Sequence, residues 1–487
     1  MSSPVASAEL DPAVCERARL ARDARFDGLF YTAVRTTRIY CRPVCPAPTP
    51  KAHNVDYFPT AAAAAAAGYR PCLRCRPERA PGAPAHRVGS ELVAGALRLI
   101  EHGLLDDAPV ATLAERVGVG ERHLRRLFAE QLGAGPLDVA ATRRLLFAKQ
   151  LLSDTTLPIT QIASAAGYAS LRRFNAAFVD SYGKPPREFR RTETPLSSNG
   201  ELVLRLPFRP PYDFAGLMAF FERRAIPGVE QVSPRHYRRS IAVDGEPGWF
   251  EVTPRDGDDA LSLRVSVPRA SQLGRVVATV RRQFDVDADP AAIGDVLGRA
   301  PLLRAAVARW PGQRLPGAWN GFELAVRGVL GQQISVAAAR TYAARIVAGW
   351  GTPLGERGID GVNALFPTPA ALADAPLETI GLPRARAATL RGLAAACRDG
   401  RVDFAPEQTL AGFVERFTAL PGIGAWTAHY IAMRALSQPD AFPAGDLVLR
   451  KVAGGGAPLT ERALEQRSQD WRPWRAYAVM LLWRAAG

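Results

Sequence analysis

The chain has 487 residues, 47% of them hydrophobic, and carries 62 Lys and Arg against 47 Asp and Glu, a formal net charge of +15. At about 150 residues per domain this suggests about three domains, each able to build a core, which excludes wholesale disorder. No apolar run reaches the ~18–20 residues of a membrane span, and the start at Met1 lacks a basic-then-apolar signal pattern, so neither an integral membrane nor a secreted protein is expected.

The basic excess points to a polyanionic partner, most often nucleic acid. In chain order, residues 1–85 hold a cysteine cluster and the tract Ala61 to Ala67, which reads as a short helix capped by Thr60 and closed by Gly68. A linker follows at Pro77 to Pro84. Residues 86–192 are helical by pattern: Leu92, Ala96, Leu99 and Ile100 share a face, and two shorter helix pairs follow, each with a glycine between its helices. A polar break runs from Thr192 to Gly200. Residues 200–290 alternate at Glu201 to Leu206, Gly248 to Val252 and Leu261 to Val267, as antiparallel strands with one buried face do, with a helix at Asp213 to Arg224. After 291 the pattern returns to Ala-rich helices, with a weaker break at Arg309 to Gly312.

Four of the six cysteines form two close pairs, Cys41-x3-Cys45 and Cys72-x2-Cys75, with 26 residues between them; Cys15 and Cys397 stand apart. That spacing matches a tetrahedral four-thiolate zinc site better than disulfides or two apolar pairs in a core. The metal would either staple a small domain or supply an electron-rich thiolate that attacks a soft carbon. Arg35, Arg38, Arg42, Arg70, Arg74 and Arg76 flank the cluster as phosphate ligands or as a solvated face.

The stretches Ala33-Val-Arg-Thr-Thr-Arg-Ile-Tyr-Cys-Arg-Pro-Val-Cys45 and Gly68-Tyr-Arg-Pro-Cys-Leu-Arg-Cys-Arg-Pro-Glu78 resemble the N-terminal domain of the Ada adaptive-response proteins. The resemblance implies that Cys41 accepts a methyl group from a DNA methylphosphotriester, with Cys45, Cys72 and Cys75 as co-ligands of one Zn²⁺; spacing alone does not select among the four. Four thiolates leave such a cluster doubly negative, and methylating one makes it singly negative, so repulsion from DNA phosphate falls. Where the best-known members carry arginine, this sequence runs Pro46-Ala47-Pro48.

Val110 to Phe128 fits helix-turn-helix spacing: Leu113, Ala114 and Val117 pack, Gly118 turns, and Leu124, Leu127 and Phe128 anchor the second helix. Ile159 to Phe174 repeats the layout and continues through Phe178 to Gly183-Lys-Pro-Pro186. The match, closing in Tyr182-Gly-Lys-Pro-Pro-Arg-Glu-Phe189, resembles the AraC-family DNA-binding domain. Arg122, Arg125, Arg172 and Arg173 are the expected base readers, although phosphate contact alone would position without specifying.

Leu420-Pro-Gly-Ile-Gly-Ala-Trp-Thr427 is a helix-hairpin-helix turn, in which Gly422 and Gly424 let backbone approach a DNA strand and the next helix, with Thr427, offers N–H groups to a phosphate. With Asp446, 22 residues beyond Gly424, and with Pro211-Tyr-Asp-Phe214, Gly331-Gln-Gln-Ile-Ser335 and Trp471-Arg-Pro-Trp-Arg-Ala-Tyr-Ala478, the half from 200 to 487 resembles the AlkA 3-methyladenine glycosylases. The resemblance implies that Asp446 stabilises an oxocarbenium-like sugar, with Asp440 (in a capping turn) and Asp403 as decoys. Trp426 stands where related glycosylase/lyases place a lysine, so base excision without strand cleavage is expected. Lone Cys397 does not suit the relatives' four-cysteine iron–sulfur cluster. Phe220, Trp426, Tyr430 and Trp483 are implied as aromatic walls for a cationic base, or are core; Gln333 stands at the wedge position, and a monovalent cation at the hairpin turn is implied.

The expected fold is therefore multidomain, mainly α with α+β parts. It comprises a four-cysteine zinc methyl-acceptor domain (1–85), two helix-turn-helix units (86–192), an antiparallel-sheet α+β domain (200–290) and an all-α helix-hairpin-helix glycosylase domain (291–487). The expected partners are double-stranded DNA, both alkylated and promoter, and RNA polymerase. A monomer in the bacterial cytoplasm, at the nucleoid, is expected, with no membrane role. No Pro-Cys-His-Arg motif is present, so reversal of O6-alkylguanine is not expected. The rivals are a regulator whose second half only clamps DNA, and a zinc domain that is structural or redox-active.

Overall fold

The computed structural model describes residues 10–82, 90–190 and 201–486. The polar break from Thr192 to Gly200 and the linker's end at Ala83 and Pro84 lie outside them. Packing divides the chain into two compact units: Met1–Pro210 with Arg255–Arg281 and Val286–Asp289, and Pro211–Pro254 with Arg282–Asp285 and Pro290–Gly487.

The first unit begins with a four-stranded sheet in the order Val55–Phe58, Tyr31–Val34, Ile39–Cys41, Arg70–Pro71. The first three strands are antiparallel, and the last runs parallel to Ile39–Cys41 with Tyr40 opposite Pro71. The alanine tract is helical over Ala61–Ala66, with the Thr60 hydroxyl accepting from the Ala63 N–H at 3.0 Å and Gly68 at φ +83° beyond its end. Four of its alanines are buried, because only methyl-sized side chains fit between the sheet and the helices that follow.

Those helices are Glu91–Glu101, Val110–Arg116, Glu121–Leu132, Pro136–Asp154, Ile159–Ala165 and Leu171–Tyr182. The expected anchors are in place: Leu99, Ile100, Leu113, Leu124 and Phe128 are buried in one core, and Phe174, Phe178 and Tyr182 stack in sequence. The 19-residue helix Pro136–Asp154 ties the sheet to the helix pairs. Lys149 Nζ donates to Glu78 Oε1 at 2.6 Å, Arg76 Nε reaches the same oxygen at 3.0 Å, and the Thr60 hydroxyl donates to Leu132 O at 2.9 Å. The linker thus starts as an ordered turn, Pro77–Arg79, with Glu78 buried. The unit also holds the antiparallel pair Leu202–Pro207 and Ala260–Ser266.

In the second unit a meander of Glu230–Ser233, His236–Val243 and Glu246–Pro254 follows the helix Phe214–Glu222. The first two strands are additional to those read from sequence. Arg239, Glu230 and Tyr237 are buried there, so their polar letters conceal the alternation: Arg239 Nη2 meets Glu323 at 2.7 Å, Arg327 Nη2 meets Glu230 at 2.5 Å, and Tyr237 Oη donates to Glu230 at 2.5 Å. From Pro290 onward the chain is helical, apart from the short antiparallel pair Thr352–Pro353 and Ala364–Leu365. Among the described residues no helix is long and apolar enough to cross a membrane.

Removing one partner of a buried ion pair strands the other charge. Glu78→Ala, which strands both Lys149 and Arg76, should therefore destabilise the first unit by about 3–5 kcal/mol in urea unfolding.

Candidate zinc centre and base pocket

Sheet register brings the thiols together. Cys41 ends the strand whose neighbour is Arg70–Pro71, so Cys72, next along, lies beside it with its N–H on Tyr40 O at 2.9 Å. Tight turns return Cys45 and Cys75 to the same point, through Cys45 N on Arg42 O at 3.1 Å and Arg76 N on Cys72 O at 3.2 Å. All four sulfurs lie within 4.8 Å of one another. That cage fits a tetrahedral ion with metal–sulfur bonds of about 2.3 Å. Cys72 and Cys75 are 6% exposed, whereas Cys41 and Cys45 are half-buried, so Cys41 and Cys45 are the more accessible pair.

The six flanking arginines separate by partner. Arg35 is held by Asp56, Arg42 by Asp27 and by the Cys75 carbonyl at 3.0 Å, and Arg76 by Glu78. Arg38 lies over the Tyr69 ring and donates to Ala67 O at 2.8 Å. Arg70 and Arg74 are exposed and, among the described residues, have no ion pair. Arg42 N also donates to Cys75 Sγ at 3.3 Å, which favours the charged thiolate.

The candidate base readers all face solvent. Arg125 is tied to Glu121 at 2.6 Å; Arg122, Arg172 and Arg173 have no ion pair among the described residues.

In the second unit the hairpin joins the helices Leu410–Thr418 and Ala425–Ala435. Gly422 has φ +84°, and a Cβ there would sit 2.1 Å from the Thr389 hydroxyl, so no other residue fits; a Cβ at Gly424 would meet nothing within 4 Å. Gln332 Nε2 braces the turn, donating to Gly422 O at 3.0 Å and to the Thr427 hydroxyl at 2.9 Å. The Thr427 side chain is therefore buried support, and only its backbone N–H can serve a phosphate. Gln333 is exposed with φ +58°, a strained conformation for a side-chain-bearing residue.

Asp446 caps the helix Leu447–Ala453. Its Oδ1 accepts from Leu449 N at 2.9 Å and from the Trp483 indole N–H at 3.2 Å, and its Oδ2 accepts from the Trp426 indole N–H at 3.0 Å. Each carboxylate oxygen offers two in-plane positions, so Oδ2 keeps one free. The carboxylate borders a cavity of about 560 Å³ that Phe220, Trp426, Tyr430 and Trp483 also line. Trp426 and Tyr430 stack within 3° of parallel, their centroids 5.6 Å apart. The face of Phe220 already carries a cation, with the Arg224 guanidinium 3.8 Å from its centroid.

The decoys are engaged elsewhere. Asp440 pairs with Arg475 at 2.7 Å and Arg472 at 2.8 Å, an ion-pair role in place of the expected local cap, and Asp403 accepts from Ala405 N at 2.8 Å. Asp213 caps Phe214–Glu222 and pairs with Arg484, so the Pro-Tyr-Asp-Phe motif is structural here. Sequence reasoning missed Gln332, Arg224 and Arg434. The two arginines stood four residues after Phe220 and Tyr430, a spacing that stacks side chains on one helix face.

Family models match four stretches: "Metal binding domain of Ada" at 14–78, "Helix-turn-helix domain" at 113–192, "AlkA N-terminal domain" at 203–320 and "HhH-GPD superfamily base excision DNA repair protein" at 326–471. A Mycobacterium tuberculosis H37Rv protein described as "Probable bifunctional transcriptional activator/DNA repair enzyme AlkA" is 41% identical over 475 residues, 96% of this chain and 95% of its own. The Escherichia coli K12 "DNA-3-methyladenine glycosylase 2" is 34% identical over 290 residues, 58% of this chain and 97% of its own. The 3-methyladenine DNA-glycosylase structure from Archaeoglobus fulgidus superposes with a TM-score of 0.52 at 22% identity, over 58% of this chain and 97% of that one, and shares the fold.

Elemental analysis should find one zinc per chain, and Cys72→Ser or Cys75→Ser should lose it. Chelation should expose four further thiols to titration.

Proposed function

The chain belongs to the family of bifunctional transcriptional activator/DNA repair enzyme AlkA proteins, and on that premise we propose how its residues divide the work. It transfers a methyl group from damaged DNA to a zinc-site cysteine, activates transcription and excises alkylated purines. The boundaries 1–85, 86–192, 200–290 and 291–487 are our assignment of these tasks.

Zinc bound by Cys41, Cys45, Cys72 and Cys75 keeps the sulfurs deprotonated at neutral pH. Cys41 Sγ attacks the methyl carbon of a methylphosphotriester; the S–C bond forms as the C–O bond breaks, and the phosphodiester anion leaves. Arg70 and Arg74 take neighbouring phosphates, since their charge is not already paired. The loss of one negative charge strengthens DNA binding. Arg122, Arg172 and Arg173 then read bases, with Arg125 free to join once it releases Glu121. RNA polymerase is the partner of the activated chain, a monomer at the nucleoid.

One observation carries the glycosylase reading: a carboxylate fixed on three sides borders an aromatic cavity, with one acceptor position of Asp446 free for the sugar. Gln333 fills the gap left by the extruded nucleotide and can hydrogen-bond the orphaned base. Gly424 and the backbone N–H of Thr427 receive a phosphate, and the hairpin carbonyls not engaged by Gln332 are our site for a monovalent cation. Trp426 forms no Schiff base, so water completes the reaction and the strand stays intact.

The wild-type chain should release methylated purines from alkylated duplex DNA without strand breaks, and Asp446→Asn should not. Release by neither protein would leave the second half a DNA clamp. Trp426→Phe and Trp483→Phe keep an aromatic wall but remove one N–H donor each. A charge-assisted hydrogen bond contributes about 1.5–3 kcal/mol, so single-turnover excision should slow roughly ten- to a hundredfold in each. An unchanged rate in both would show that the indole bonds do not position Asp446.

A further inference from the structure

The base pocket has an electrical polarity that its aromatic lining does not explain. Six arginines line the cavity; Arg223 and Arg340 are exposed to solvent, and the other four lie along or beneath the aromatic walls. Arg327 is neutralised by Glu230 and Glu323, and Arg484 by Asp213. Arg224 and Arg434 differ: among the described residues, neither has a carboxylate at ion-pair distance. Arg434, only 5% exposed, donates to Pro316 O at 3.0 Å, Gly317 O at 3.3 Å and the Tyr430 hydroxyl at 2.8 Å. It also lies 4.9 Å from the Phe220 centroid. Arg224 donates to Phe220 O at 3.2 Å and stacks on the same ring.

Guanidinium groups keep their charge inside proteins. Burial draws the Arg224 guanidinium down only to about 10. Their field is felt by Tyr430: burial pushes its phenol up, but Arg434 and then Arg224 outweigh that and hold it below its ordinary value. The cavity thus has positive charge beside Phe220 and Tyr430, and the Asp446 carboxylate also borders it.

On excision the electron pair of the C1′–N bond goes to the base, and C1′ becomes positive. Water oxygen then bonds C1′ and releases a proton. A cationic base leaves neutral, and a neutral base leaves as an anion until it is protonated by solvent. The electron flow is from sugar to base in both cases. We propose that Arg224 and Arg434 form the positive pole of the base pocket and selectively promote departure of neutral purine lesions, whose leaving group is anionic.

The two lesion classes separate this role from a structural one. For a cationic base, positive charge opposes binding and is relieved as the bond breaks, so the two effects cancel between free substrate and transition state. For a neutral base nothing is lost on binding, and the developing anion is stabilised.

The proposal rests on the glycosylase reading, and single-turnover kinetics of the full chain on duplexes holding 7-methylguanine or hypoxanthine test it. In Arg224→Met and Arg434→Met, the ratio of maximal rate to half-saturating concentration should fall roughly tenfold or more for hypoxanthine. For 7-methylguanine, maximal rate and half-saturating concentration should fall together, their ratio changing less than about threefold. Arg224→Lys and Arg434→Lys keep the charge and should restore the hypoxanthine ratio. Equal losses on both substrates, or a wild type that releases 7-methylguanine alone, overturn the proposal. A wild type that releases neither base overturns the glycosylase reading itself.

Discussion

Asp446 is a helix cap before it is anything else. Its carboxylate faces the first turn of Leu447–Ala453, whose leading N–H groups have no partner within the helix, and accepts from Leu449 N. Once pinned there, it is also the acceptor of two indoles from distant helices, and those indoles are in turn walls of the cavity. Position, charge and shape are therefore set by one group. The hairpin is arranged around the same point: Trp426 is the second residue of the helix that the hairpin launches, and Gln332 holds the hairpin from beneath.

The first unit is organised by a different constraint, the register of a small sheet. A parallel neighbour on Ile39–Cys41 sets two cysteines side by side, and two turns add the others. The sheet buries Cys72 and Cys75 more deeply than Cys41 and Cys45. A site that must hold a metal and also present a sulfur to a large substrate requires this inequality, and backbone pairing alone supplies it.

Much of this was legible in the sequence. Thiol spacing announced the metal cage, the paired glycine-turn patterns announced the helix pairs, and Thr60 with Gly68 bounded a helix in what looked like low complexity. What stayed hidden depended on tertiary partners. No pattern of letters tells that Arg42 and Arg76 are engaged while Arg70 and Arg74 are not, since Asp27 and Glu78 are remote or ambiguous in sequence. Trp426 and Trp483 were readable as aromatic surface, but not as hydrogen-bond donors to one carboxylate. His236–Val243 was illegible because its buried side chains include Arg239, whose partners Glu230 and Glu323 lie on a neighbouring strand and a later helix. Arg224 and Arg434 sat at a telling spacing, yet only the fold shows that, among the described residues, no acid pairs with them.

The Glu78–Lys149 contact has a metric consequence. It joins the cysteine cage to the long helix from which both helix pairs hang, so the first unit is a gauge of constant length. On the assignment proposed above, the phosphate that reaches Cys41 and the bases that reach Arg172 and Arg173 lie a set number of steps apart along the duplex. Repair at any other step can still occur, but the reading helices then fall out of phase with their sequence. On that assignment, geometry as well as affinity decides which damaged phosphates count as signals.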